Sequence, residues 1–246
     1  MVIYGMLQAF LEGAKELIFP DNCLLCRRFL NSRHQRQLCV NCAALLEFNP
    51  APFCRHCPHS VSGQNGRDIC ASCAKDRFAF DHAWAVFLYN DTAQKLLHAF
   101  KYGSKTSLHK TFVPLMIDFV DRHQIPIRQF DMVSPIPLHP ARLRERGYNQ
   151  SGLLSRGVSR HWELLHTEDL LIRRKKTFTQ TELGAKQRWT NLEGAFKIND
   201  SADIEGKSVL IVDDLFTTGA TTHAAADTLK TAGAGQVGIF TLSVTI

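Results

Sequence analysis

The 246-residue sequence lacks an apolar run long enough to span a membrane, and it also lacks the marks of a secretory leader. Near its start, Glu12, Lys15 and Glu16 interrupt the apolar residues, which excludes a span there. Residues 1–19 have neither a basic n-region nor a small-residue cleavage site, so we expect no signal peptide. These two absences predict a cytoplasmic protein without a membrane span.

The sequence also has no cysteine outside two sets of four. Each set consists of two Cys-x2-Cys knuckles separated by twelve residues, and the second set repeats the first at a shift of 31 residues. Two knuckles can place four thiolates around one Zn²⁺ ion in a tetrahedron. We therefore predict two structural zinc ribbons and no catalytic thiol, with the ligands Cys23, Cys26, Cys39, Cys42, Cys54, Cys57, Cys70 and Cys73.

The spacing alone leaves the pairing of the knuckles open. Sequential pairing within each set is the simplest arrangement, and an interleaved arrangement also satisfies the spacing. A redox role for the knuckles is disfavoured, because such a role does not explain four Cys-x2-Cys pairs at a repeated spacing. Disulfides are disfavoured as well, since nothing in the sequence indicates export.

The net charge of +6 and the isoelectric point near 8.9 favour anionic partners such as phosphates or nucleic acid. The first cysteine set carries a local cluster of positive side chains. This cluster fits the backbone of nucleic acid, and it fits a solvated surface equally well. Its members are Arg27, Arg28, Arg33, His34 and Arg36.

Composition and patterning divide the chain into three segments. Residues 1–20 carry an apolar stripe at helical spacing and predict an amphipathic helix that ends before Pro20. Docking on the rest of the protein is favoured over binding to a membrane surface, because the polar face is not basic. Residues 21–78 then form the double zinc ribbon, and residues 79–246 form the main domain.

The main domain is organised around residues 208–222. Val209 to Val212 predict a strand buried on both faces, and Asp213 and Asp214 follow it directly. The next residues form a small, hydroxyl-rich turn at a predicted helix start, where backbone N–H groups and the helix dipole favour a phosphate. Carboxylates beside such a turn can accept hydrogen bonds from two ribose hydroxyls. The turn comprises Thr217, Thr218, Gly219, Ala220 and Thr221.

Strands and helices alternate from about residue 80 onward, which predicts a doubly wound parallel α/β sheet. In such sheets the ligand crevice lies at the carboxyl ends of the strands, where Asp213 and Asp214 fall. Residues 135–150 predict a proline-stiffened loop that bears Arg142, Arg144 and Arg146. Guanidinium groups suit pyrophosphate because each can bind two oxygens, although a basic surface loop has the same composition.

Residues 209–221 resemble the phosphoribosyl pyrophosphate (PRPP) signature of type I phosphoribosyltransferases. The chain as a whole is similar to the ComF family, which joins a cysteine zinc ribbon to a type I phosphoribosyltransferase domain. The resemblance covers nearly the full length. It depends on the cysteine knuckles, residues 209–221, and the motifs Leu97-x-x-Phe-Lys101-Tyr102, Pro137-Leu-His-Pro140, Arg146-Gly-Tyr-Asn-Gln150, Gln180 and Arg188-x-x-Asn191.

The resemblance implies a site for PRPP with Mg²⁺. Asp213 and Asp214 would orient the ribose hydroxyls, and Thr217 to Thr221 would hold the 5′-phosphate. Residues 177–191 match the hood loop that closes over such sites. Positive side chains of the early loop, the hood and a nearby helix would bind the pyrophosphate, namely Lys101, Arg142, Arg144, Arg146 and Arg188.

The resemblance also implies a competence protein that handles single-stranded DNA during natural transformation. Implied partners are a DNA-import helicase and a DNA-loading factor. The alternative is a metabolic phosphoribosyltransferase that acts on a nitrogen acceptor. Thr217 stands where transferases for 6-oxopurines carry an aspartate, which disfavours hypoxanthine or guanine as the acceptor. No general base is evident, so the sequence leaves turnover and the catalytic residues open.

Overall fold

The computed structural model describes residues 22–30, 37–61, 68–74, 77–175, 192 and 194–245. The predicted helix of residues 1–20 and the whole of the predicted hood loop (residues 177–191), including Arg188, lie outside these ranges. The chain forms two compact units, of which the first ends at Leu46 and the second begins at Glu47. Within the described part of the chain, no helix combines the length and apolarity needed to cross a bilayer.

The first unit contains the first cysteine set. The Cys23 N–H donates to Arg28 O at 2.8 Å, which closes a tight turn around the first knuckle. Arg27 lies in this turn with a φ of 62°, a left-handed conformation of the kind that knuckle turns require. The second knuckle opens on the short helix α1 (Val40–Ala43), which begins directly after Cys39.

The second unit is built on a five-stranded parallel sheet with the order β1-β7-β6-β2-β3. A separate antiparallel pair is formed by β4 and β5. The parallel sheet confirms the predicted fold class. The strands are β1 (His82–Leu88), β2 (Met132–Pro135), β3 (Leu165–His166), β4 (Leu171–Arg173), β5 (Phe196–Ile198), β6 (Ser208–Phe216) and β7 (Gln236–Val244).

Helices connect these strands and cover the sheet. The long amphipathic helices bury their apolar stripes, as Phe112, Met116 and Phe119 do in α3. The helices of this unit are α2 (Asp91–Tyr102), α3 (His109–His123), α4 (Pro140–Arg146), α5 (Gln150–Trp162) and α6 (Ala220–Thr231), with 3₁₀ turns at Thr106–Leu108 and Ile127–Gln129.

Strand β6 lies at the centre of the sheet because its apolar residues are buried on both faces. Val209, Leu210, Ile211 and Val212 are all inaccessible to solvent. The strand pairs with β2 on one side and with β7 on the other. Its carboxyl end therefore opens at the middle of the sheet edge where parallel α/β folds bind ligands.

The predicted loop after β2 contains a helix. Pro140 occupies the first turn of α4, where a missing N–H costs nothing, and His139 Nδ1 accepts from the Ala141 N–H at 3.2 Å. Gly147, with a φ of 81°, ends the helix. The three prolines were interpreted as stiffening a loop, but one of them starts a helix.

The boundary between the units falls between the two cysteine sets. The sequence placed both ribbons in one module that ends near residue 78. In the structure, the second set belongs to the same compact unit as the parallel sheet. Its four cysteines share a buried cluster with Phe80, Phe216 and Val244. The second ribbon is therefore part of the core of the larger unit.

Candidate phosphoribosyl-binding site and zinc clusters

The two acids of the signature lie at the carboxyl end of β6 and are almost fully buried, with exposures of 8% for Asp213 and 3% for Asp214. Asp213 Oδ1 accepts from Ser151 Oγ at 2.8 Å and from the Asp214 N–H at 2.9 Å. Ser151 lies in the first turn of α5, so that helix start helps to fix the first acid. Buried carboxylates held in this way are unusual unless they serve a ligand or a structural ion pair.

A lysine from another helix compensates part of this negative charge. Lys101, near the end of α2, places Nζ 2.9 Å from Asp214 Oδ2. The same oxygen is buried and has no hydrogen bond of regular geometry among the residues that the structure describes. The contact is therefore chiefly coulombic, and Asp214 keeps an acceptor that a ribose hydroxyl fits.

Burial sets the protonation of the acid pair. The pKa of Asp213 is raised from 3.8 to about 7, chiefly by desolvation and next by the adjacent Asp214, whereas Lys101 and the Ser151 hydroxyl lower it. Asp214 and Asp213 in turn raise the pKa of Lys101 against the effect of its own burial. A cation that entered beside the pair would favour the doubly ionised form.

The predicted 5′-phosphate turn follows β6 and leads into α6. Gly219 is the N-cap of α6, with a φ of 76°, and Ala220 is the first helical residue. The side chains of Thr217, Thr218 and Thr221 are half-buried at this helix start. A twelve-residue helix that begins beside two hydroxyl-bearing residues offers the N–H groups and the dipole that a phosphate needs.

The structure places the three early-loop arginines on two sides of a helix. Arg142 and Arg146 are one helical turn apart on α4, whereas Arg144 lies on the opposite side of that helix and is exposed. Arg146 donates to Gln150 Oε1, and its guanidinium lies 5.0 Å from the centre of the Tyr102 ring. The sequence did not reveal this division, because the prediction treated residues 135–150 as a loop and not as a helix.

Sequence reasoning missed two residues near the acids. Ser151 gave no signal, because serine is common at helix starts. Arg173, at the end of β4, was not among the predicted site residues. Burial lowers its pKa, Arg142 lowers it further, and Asp213 raises it, so its guanidinium lies within electrostatic reach of both. The Arg173 side chain also contacts the Phe196 ring, with 5.5 Å from Cζ to the ring centre.

Both cysteine sets form clusters that fit Zn²⁺. Within each predicted set, the four Sγ atoms lie within 4.8 Å of one another, which confirms the sequential pairing. Cys26 and Cys39 Sγ are 3.6 Å apart, as are Cys57 and Cys70 Sγ. Tetrahedral thiolates about 2.3 Å from zinc would be separated by about 3.8 Å. Burial raises the pKa of Cys73 to about 12, so a cation is needed before all four thiols of the second cluster ionise.

Two family models match the chain. The model for a double zinc ribbon domain matches residues 14–74, and the model for a phosphoribosyl transferase domain matches residues 165–243. The chain pairs a double zinc ribbon with a phosphoribosyl transferase domain. This pairing confirms the domain types that were predicted from the cysteine spacing and from residues 209–221.

Relatives that align over nearly their full length are named for competence or for DNA utilization. The chain is 28% identical to Competence protein F of Haemophilus influenzae over 92% of this chain and 97% of that protein. It is 27% identical to the DNA utilization protein YhgH of Escherichia coli K12, over 94% and 100%. It is 29% identical to Competence protein ComFC of Bacillus subtilis, over 89% and 93%. The predicted similarity to ComF proteins is thereby confirmed.

Proposed function

We propose that this double zinc ribbon phosphoribosyl transferase protein binds PRPP with Mg²⁺ and handles incoming single-stranded DNA in the cytoplasm during natural transformation. The observation that carries the ligand proposal is the buried acid pair at the end of the central strand. A helix start with three threonines follows it directly. The two features provide acceptors for ribose hydroxyls and donors for a 5′-phosphate within one stretch of chain.

In this proposal each group of the site has one task. Asp213 and Asp214 accept hydrogen bonds from the two ribose hydroxyls. The turn from Thr217 to Thr221 binds the 5′-phosphate. Lys101, Arg142 and Arg146 would offset the charge of the pyrophosphate, whereas Arg144 faces the other side of α4 and Arg188 lies outside the described residues. Mg²⁺ would supply further positive charge between pyrophosphate and ribose.

One observation favours turnover as a second function. Two positive side chains, Arg142 and Arg173, lie within electrostatic reach of each other and of Asp213. An anion that gains charge during a reaction, such as departing pyrophosphate, would be stabilised there. The second function is therefore transfer of the phosphoribosyl group to a nitrogen acceptor, in which positioning and electrostatics supply most of the rate gain.

The DNA part of the proposal has separate support. The relatives are named for competence and DNA utilization, and the chain has a net charge of +6. Arg27 and Arg28 are exposed at the first knuckle. Exposed arginines on a zinc ribbon suit contacts to the phosphate backbone of a single strand, which do not depend on sequence. The proposed protein partners are a DNA-import helicase and a DNA-loading factor.

The ligand site is tested with Asp213→Asn. We expect calorimetry to show PRPP·Mg²⁺ affinity at least about tenfold weaker, since a hydrogen bond to a charged acceptor is lost. Asp227→Asn, which removes an exposed acid from α6, is the matched control and should bind like the wild type. Unchanged affinity in the Asp213 variant would remove the acid pair from the PRPP site.

The DNA surface is tested by reversing charge at Arg27 and Arg28. We expect the double glutamate variant to bind a labelled single-stranded oligonucleotide about tenfold more weakly in fluorescence anisotropy, with a shallower dependence of affinity on salt. Lys110→Glu with Arg128→Glu makes the same change in net charge on the second unit. Equal weakening in both double variants would mean that net charge, and not the first ribbon, controls binding.

A further inference from the structure

The second zinc cluster is continuous with the core beneath the signature turn. Its cysteines have exposures between 1% and 7%, and they lie in one buried cluster with Phe216 and Ala220. Phe216 is the last residue of β6, and Ala220 is the first residue of α6. The cluster therefore reaches the two residues that flank the turn at Thr217 to Gly219.

His59 connects a zinc ligand to the strand beside that turn. Its Nδ1 lies 3.2 Å from Cys57 Sγ, and its Nε2–H donates to Thr245 O at 3.0 Å. A histidine that touches a ligating cysteine on one side and a backbone carbonyl on the other transmits the position of the first to the second. The His59 ring also packs edge-on against Phe216, with 5.9 Å between the ring centres.

Thr245 in turn contacts the first residues of the turn. Its N–H donates to Phe216 O at 3.0 Å, and its hydroxyl donates to Thr217 O at 3.5 Å. The backbone at residues 216–217 is thus held by a residue whose own carbonyl is held by His59. The path from Cys57 Sγ to the backbone of the turn passes through two residues, the His59 side chain and Thr245.

The turn packs directly on the same aromatic ring. A Cβ atom at Gly219 would lie 2.6 Å from Phe216 Cζ and 2.4 Å from Phe78 Cε1, so only glycine allows this approach. The position of the turn therefore depends on the position of the Phe216 ring. His59 borders that ring from the side of the zinc cluster.

We propose that His59 is a positioning residue through which the second zinc cluster holds the signature turn in place. Distortion of the cluster would release the Thr245 carbonyl and the Phe216 ring, and the turn would then lose its support. The consequence for PRPP rests on the function proposed above, in which this turn binds the 5′-phosphate. The coupling itself can be measured without any ligand.

The test compares His59→Ala with His56→Ala in the full-length, zinc-loaded protein. His56 lies in the same knuckle and contributes its backbone N–H to Cys54 Sγ, a contact that alanine keeps. We expect hydrogen exchange of a peptide that covers residues 215–222 to be about fivefold faster in the His59 variant, the factor expected for one lost hydrogen bond, and unchanged in the His56 variant. Zinc content is measured on the same samples.

Two conservative variants separate the contacts of His59. In His59→Gln the amide nitrogen can replace Nε2 as donor to Thr245 O, whereas the shorter His59→Asn can replace only Nδ1. We expect glutamine to restore slow exchange in the turn and asparagine not to restore it. Equal exchange rates of the turn in the two variants would mean that His59 only fills space, and would overturn the proposal.

The outcomes for coupling and for ligand binding are distinct. Wild-type exchange of the turn in a zinc-loaded His59→Ala protein would overturn the coupling. If His59→Ala does not fold, the comparison of glutamine with asparagine decides in its place. If the turn exchanges faster in His59→Ala but the wild-type protein does not bind PRPP, the result supports the coupling and contradicts the proposed ligand. Where the wild type binds PRPP·Mg²⁺, we expect about fivefold weaker affinity in His59→Ala.

Discussion

Cys57→Ser is expected to unfold the larger unit at room temperature or to remove most of its free energy of unfolding. Cys57 is 1% exposed within the core that the second cluster shares with the parallel sheet. Structural zinc sites contribute apparent binding free energies of about 10 to 16 kcal/mol, whereas whole domains are stable by only about 5 to 15 kcal/mol. Loss of this one ion can therefore exceed the total free energy of unfolding.

The matched control is Cys26→Ser in the first cluster. Cys26 is exposed and belongs to the smaller unit, which has a boundary of its own at Leu46. We expect this variant to lose one zinc ion per chain and to leave the main thermal transition of the larger unit in place. Differential scanning calorimetry with metal analysis makes the comparison. Equal loss of the main transition in both variants would contradict the division of the chain between the two ribbons.

Lys101→Met is expected to destabilise the protein by about 3 kcal/mol near pH 8, because it leaves two buried carboxylates without their cation. The Lys101 side chain is 21% exposed, and that of Asp214 is 5% exposed, so solvent screens the pair only partly. Lys95→Met, on an exposed position of the same helix, is the control and should change stability little. Urea unfolding measures both variants.

The size of this effect should depend on pH. The pKa of Asp213 is raised to about 7 in the folded protein from an ordinary value of 3.8. The folded state therefore holds a proton that the unfolded chain releases, and stability falls as the pH rises from about 4 to about 7. Without Lys101 the pKa of Asp213 rises further. We therefore expect the loss of stability in Lys101→Met to be small at pH 5 and largest at pH 8.

A second substitution identifies the cause. Adding Asp214→Asn to Lys101→Met removes one of the two uncompensated charges, and we expect it to restore at least half of the lost stability at pH 8. A deficit that stays the same from pH 5 to pH 8, or that the second change does not reduce, would mean that packing of the lysine stem and not charge explains the loss.

Local patterns predicted the structure around residues 208–222 well. The run from Val209 to Val212 indicated a doubly buried strand, and the acids and threonines after it indicated a ligand-binding turn. These features depend on residues close together in sequence. The cysteine spacing was equally informative about the presence of two zinc sites, because a zinc site has a fixed ligand geometry, and the structure then decided which thiols share an ion.

Contacts between distant segments were not predictable in the same way. The spacing of Cys54 to Cys73 indicates a zinc site but not the surface on which that site packs, which includes Phe80, Phe216 and Val244. Ser151 and Arg173 approach Asp213 only because α5 and β4 bring them there. Arg144 was grouped with its neighbours because an extended loop was assumed, and a helix turns it away.

The pairing of β1 with β7 has a consequence for how the chain is made. Ser243 Oγ donates to the carbonyl of Phe87, 156 residues earlier, and His59 meets its carbonyl partner 186 residues later in the chain. At translation rates of about 5 to 20 residues per second, the knuckle of Cys54 and Cys57 waits roughly 10 to 40 s for that partner. During this interval the growing chain has an unpaired first strand and an incomplete core. Early capture of zinc would then protect a segment whose native neighbours have not yet left the ribosome.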